Sequence, residues 1–138
     1  MRQVLLIHSF GYRAGPPPEW SAAPPDVVED VRSLINPYKL AEYHDLSGLD
    51  APVREFVVAQ PKAQQILDRA EARILALIDA PSRPILRAGF GCTGGKDRSV
   101  ALAAEFATRA ERWDADLDVV LRHWQVHERS GADRRGYE

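Results

Sequence analysis

Cysteine is nearly absent: Cys92 is the only one in 138 residues. A lone thiol excludes an internal disulfide framework, a Cys-rich zinc site and a CxxC redox pair. Long apolar runs are missing too. None approaches the roughly 18–20 residues that a membrane span needs, and 28% of the residues are charged. Neither sign of charge dominates. The chain has 18 Lys and Arg against 20 Asp and Glu, a net charge of −2. That balance excludes a nucleic-acid grip through bulk basicity and leaves room for a local anion pocket. The apolar run Val4–Ile7 is too short for a secretory leader and has no small-residue cleavage site after it. With a free thiol, the expected compartment is the reducing cytoplasm.

What is present suffices for one core. A chain of 138 residues buries about 68% of its unfolded surface without any covalent staple. One domain is expected over 1–127, followed at 128–138 by a polar tail expected to be flexible. Val4–Ile7 lacks polar alternation, as a strand covered on both faces does. Pro16–Pro18 and Pro24-Pro25 mark a loop, because proline fixes φ and removes a donor. Val27–Arg32 reads as a second strand, and Asn36-Pro37 as a turn. Asp50 suits an N-cap and Pro52 the first turn of a helix running to about Ala59. After Pro61, Ile66, Leu67, Ala70, Ile74, Leu77 and Ile78 form one helical stripe, and Pro81 stops it. Ile85–Phe90 is the third strand, Arg98 to Trp113 a further helix, and Leu117–Leu121 the fourth strand. Strands separated by helices predict an α/β fold: a small three-layer sandwich with a mainly parallel four-stranded sheet. Ligands of such sheets sit at the carboxyl ends of the strands. The segments Ser9–Gly11, Arg32–Tyr38 and Gly91–Ser99 all leave strands at that end.

The chemistry is concentrated in Gly89-Phe90-Gly91-Cys92-Thr93-Gly94-Gly95-Lys96-Asp97-Arg98-Ser99. It follows a strand and opens a helix. Its glycines let successive N–H groups face one point, and the helix N-terminus adds partial positive charge. Lys96 and Arg98 bring formal charge, while Thr93 and Ser99 bring hydroxyl donors. Together they suit a phosphate or another oxyanion. The bland reading is a glycine turn capped by Asp97 or Ser99. A Walker loop is excluded, because Phe90 and Asp97 stand where that pattern needs Gly and Ser or Thr.

Cys92 and Arg98 also fit Cys-x5-Arg, which resembles the signature loop of Cys-dependent phosphatases. In that alternative, Cys92 is the nucleophile and Arg98 holds the phosphate. Asp26 or Asp30 would have to supply the general acid. Gly91 and Val100 depart from that family's usual His and Gly.

A second resemblance covers more of the chain. Gly91-Cys-Thr-Gly-Gly-Lys-Asp-Arg-Ser-Val100 resembles the signature of the RapZ family of RNase adapter proteins, also called YvcJ-like nucleotide-binding proteins. Ser9-Phe10-Gly11-Tyr12, Asp30-Val31-Arg32, Asn36-Pro37-Tyr38 and Ser47-Gly48-Leu49-Asp50 match further blocks of that family in order. Val53, Phe56 and Val57 continue the register, and Arg122-His123 resembles its closing block. The match is to the family's C-terminal domain. Its kinase-like N-terminal domain has no counterpart in these residues. Asp97 stands where the family has His, and Trp124 where it has Arg.

The resemblance implies a non-catalytic regulatory module without a cofactor. It would bind an amino-sugar phosphate, glucosamine-6-phosphate, together with small RNA, and would control access of an RNase. It also implies a homo-oligomer. Carried over by position, the ligand pocket uses Asp30, Arg32, Asn36, Tyr38, Thr93, Gly94, Lys96 and Arg98, joined by Gly95 and Ser99 of the loop. Asp30 would take a sugar hydroxyl or ammonium, and Arg32 phosphate. Arg122, His123 and Arg129 are the candidate RNA contacts, by charge and stacking. No His, Asp or Glu cluster has metal-ligand spacing.

Overall fold

The computed structural model describes residues 2–125. Four strands, β1 (Gln3–Gly11), β2 (Val27–Asp30), β3 (Ile85–Cys92) and β4 (Leu117–His123), form one sheet in the order β2-β3-β1-β4. Every pairing is parallel. Three α-helices, α1 (Ala51–Val58), α2 (Pro61–Leu75) and α3 (Arg98–Glu111), complete the α/β sandwich. The expected elements are all present. β1 is longer than expected, because Ser9, Phe10 and Gly11 continue as strand against Phe90, Gly91 and Cys92. β4 likewise runs on to His123, beside Ser9.

The register sorts the two faces. Leu5, Ile7, Leu86, Ala88, Phe90 and Val27 share one face and enter the main core with the apolar stripes of the helices. On α2 that stripe is Ala63, Ile66, Leu67, Ala70 and Ile74, the spacing a one-sided helix requires. Burying each large aliphatic or aromatic side chain contributes about 1.5–3 kcal/mol. Phe90 and Phe106 anchor the centre, with ring centroids 5.4 Å apart.

The other face is covered thinly. The β1–β2 connection crosses it with a 3-10 turn at Pro18–Ser21, which carries buried Trp20. Trp20 lies edge-on to His8 and Phe10 and fills the space above Gly89. A Cβ on Gly89 would sit 2.2 Å from the indole. Direction of travel explains the split. The chain passes from β1 over β3 to reach β2, but from β3 over β1 to reach β4. Opposite directions keep one handedness only when the crossings use opposite faces. Thus α3 lies on one face and the proline-rich connection on the other.

Candidate anion-binding site

The loop between β3 and α3 lies at the carboxyl ends of the two central strands. Backbone pairing continues past the strands themselves: Tyr12 N donates to Cys92 O at 2.8 Å, and Arg13 N to Thr93 O at 3.1 Å. The loop then bends over the end of β1. Gly95 makes the bend with φ +76, a conformation that costs glycine little. Gly11 leaves room for it, since a Cβ there would lie 2.5 Å from the Gly94 carbonyl carbon. Gln125, just after β4, closes the arrangement by accepting from Gly11 N at 2.8 Å.

Cys92 sits beneath this bend, 2% exposed. Its Sγ accepts from Gly95 N at 3.3 Å and donates to Ser99 Oγ at 3.1 Å. Ser99 is therefore committed to the thiol rather than to a helix cap. Asp97 occupies the N-cap position of α3 without a side-chain cap bond. Lys96 and Asp97 are 5% and 8% exposed. The Lys96 carbonyl accepts from Gly48 N at 2.9 Å, and a Cβ on Gly48 would meet the Asp97 carbonyl oxygen at 2.4 Å. The Ser47–Asp50 block thus braces the outside of the loop. Asp50 turns back to accept from Ser47 N at 2.7 Å instead of capping α1.

Arg98 links the loop to the chain after β2. Its Nη1 donates to the carbonyls of Arg32 and Leu34 at 2.7 and 3.1 Å, and Nη2 to Thr93 Oγ1 at 3.4 Å. Asp30 and Arg32 form a bidentate pair, about half exposed on both sides. The Arg32 guanidinium holds the Asp30 carboxyl below its ordinary value, against a smaller opposing effect of burial and with help from Arg98. Arg32 also stacks over the Tyr12 ring at 4.1 Å.

The structure therefore brings Thr93 and Arg98 beside the Asp30–Arg32 segment, with Gly94, Gly95 and Lys96 buried in the adjoining bend. Asn36 and Tyr38 follow along the same connection. Asn36 Oδ1 caps the 3-10 turn Pro37–Lys39 by accepting from Tyr38 N. The Tyr38 ring faces His44 at 4.2 Å. His123 is 6% exposed and bonds Ser9 Oγ through Nδ1 at 2.7 Å. Arg122 is exposed, and Arg129 lies outside the described residues. Tyr12, Gly48 and Gln125 are contributors that motif reading did not assign to the site. The glycine of the Ser47–Asp50 block was a usable signal for one of them, but nothing around Gln125 pointed to a role.

Among the described residues, no group of three His, Cys, Asp or Glu side chains is arranged to hold a metal ion. No helix there is long and apolar enough to cross a membrane.

Comparison with known proteins covers nearly all of this architecture. A family model described as the RapZ C-terminal domain matches residues 3–127. A nucleotide-binding protein of Geobacter metallireducens is 44% identical over 125 residues, spanning 88% of this chain and 41% of that protein. Nucleotide-binding proteins of Alkalilimnicola ehrlichii and Acidothermus cellulolyticus are each 40% identical. They cover 91% and 85% of this chain, and 42% and 38% of their own lengths. The chain thus spans about two fifths of the curated relatives it matches.

Proposed function

The chain belongs to the RapZ C-terminal domain family, and from that premise we propose that it is a non-catalytic regulatory module binding a phosphorylated metabolite. An amino-sugar phosphate is the ligand class, with glucosamine-6-phosphate as its first member to test. One observation carries the reading: a glycine bend and a helix N-terminus meet at the carboxyl ends of β1 and β3, in a segment that also carries Lys96 and Arg98. Such a convergence of N–H donors and cations is suited to phosphate.

In this reading, Thr93, Gly94 and Lys96 take the phosphate and Gly95 shapes the bend, with Arg98 holding the rim together from behind. Asp30 takes the ammonium or a hydroxyl, Arg32 adds charge, and Asn36 and Tyr38 flank the sugar. Cys92 and Ser99 support the loop from below. The domain unit is 1–127. Small RNA contacted through Arg122, His123 and Arg129, an RNase partner, self-assembly and a cytoplasmic location extend the proposal.

Calorimetry with glucosamine-6-phosphate, glucosamine and orthophosphate tests it. The sugar phosphate should bind, and Lys96→Gln should weaken binding about tenfold or more, as loss of a charge-assisted contact does. Absence of heat with every phosphorylated ligand would overturn the proposal. The buried position of Sγ and its bond to Ser99 support a scaffold role for the thiol. Turnover of an aryl phosphate between pH 5 and 8, abolished by Cys92→Ser, would instead establish a Cys-dependent phosphatase.

A further inference from the structure

The far end of the sheet carries an arginine-rich corner that the loop does not touch. It lies at the amino ends of β2 and β3, where Arg87 precedes Cys92 by about 17 Å at some 3.3 Å per residue along β3. Two adjoining cavities of about 480 Å³ each open there. Arg69, Arg73 and Arg83 line one of them, Arg83 and Arg87 line the other, and Asp26 borders both.

The carboxylates of this corner are already engaged. Asp26, 6% exposed at its side chain, takes the Arg83 guanidinium and the Arg87 backbone N–H. Glu29, 8% exposed, receives three hydrogen bonds from Arg69. Two guanidiniums are left over. Arg73 makes a single bond, from Nη2 to the Asp26 backbone carbonyl at 3.2 Å. Arg87 has its Nε buried without a hydrogen-bond partner. Among the described residues, neither Arg73 nor Arg87 forms an ion pair with a carboxylate. A buried N–H donor left unpaired is costly, and an anion reaching across both cavities would meet the Arg87 guanidinium in one and Arg73 in the other.

We infer that this corner is a second anion site, for a short polyphosphate chain, free or as the tail of a nucleotide. The chain would span the two cavities, with Arg73 on one side of the Asp26–Arg83 pair and Arg87 on the other. Arginine suits the task because its planar fork meets phosphate oxygens two at a time. An extended chain fits better than a single phosphate, because the unneutralised cations stand on both sides of Asp26. The site is independent of the reading of the Gly91–Ser99 loop.

Calorimetric titration of the whole chain with tripolyphosphate, ATP and orthophosphate tests the inference, in wild type, Arg73→Gln, Arg87→Gln and Lys96→Gln. Tripolyphosphate should bind wild type more tightly than orthophosphate does. Each arginine variant should weaken it about tenfold, the scale of one charge-assisted contact. In Lys96→Gln, which disables the loop, tripolyphosphate binding that depends on Arg73 and Arg87 should remain. Equal affinity for ATP and tripolyphosphate assigns recognition to the chain of phosphates alone, and tighter ATP binding adds the nucleoside. Arg73 lies on the exposed side of α2, so its variant tests the site even if Arg87→Gln fails to fold. Binding by Arg73→Gln equal to wild type would overturn the inference. So would binding lost only in Lys96→Gln, or single-stranded RNA outcompeting tripolyphosphate at equal phosphate concentration.

Discussion

At Gly95 the backbone takes φ +76, and a Cβ would lie 2.6 Å from both Gln125 Oε1 and Gly11 N. Gly95→Ala should therefore lower stability by about 1–3 kcal/mol through strain and displacement. Urea unfolding would read this as a lower midpoint at unchanged slope. His8 presents a different case. Its ring is fully buried, both nitrogens lack partners, and Glu19 stands 3.8 Å from Nε2. Burial pushes the imidazole below its usual 6.5; Glu19 opposes this, and Arg122 and Arg87 reinforce it. The unfolded chain thus takes up a proton near pH 6.5 while the folded chain resists. Stability is complete above that pH and falls below it, by at most about 1.4 kcal/mol per pH unit. His8→Leu should flatten this part of the profile between pH 7.5 and 5.5, seen as a smaller shift in urea midpoint. Motif reading identified Arg98 as a loop cation but not where its guanidinium points. That direction is set by carbonyls 66 and 64 residues away, at Arg32 and Leu34, and no local pattern encodes them.

Among the elements, α3 does two jobs. Its N-terminus opens under the loop, and Phe106, fully buried, joins Phe90 and Trp113 at its centre. Phe106→Ala should cost about 3–5 kcal/mol, as other large core deletions do, again measured by urea unfolding. Both uses of this helix were legible. Its apolar face has a 3.6-residue period, and the loop before it has a recognisable glycine and cation pattern. The 3-10 turn bearing Trp20 was not legible. Its proline-dense segment has no period, and Trp20 is placed by Gly89, which lies in a strand far along the chain. The length of β1 was hidden for a related reason. Ser9, Phe10 and Gly11 read locally as a turn, but pairing with β3 on one side, and of Ser9 with β4, keeps them extended.

For the molecule as a whole, a near-neutral total conceals local concentrations of positive charge at both ends of one sheet. If the loop takes glucosamine-6-phosphate, ligand at a hundredfold excess over Kd should add about 2.7 kcal/mol of stability. Thermal denaturation should then rise by roughly 8–11 °C, with no rise for glucosamine alone. One structural detail bears on when such a site can exist. Gln125, which reaches back to Gly11 and abuts Gly95, comes after the last strand, whereas Gly11 ends the first. A ribosome that has translated as far as α3 has already supplied every residue of the loop. The latch still follows some two dozen codons later. The bend over Gly11 can therefore be latched only after residue 125 has been made.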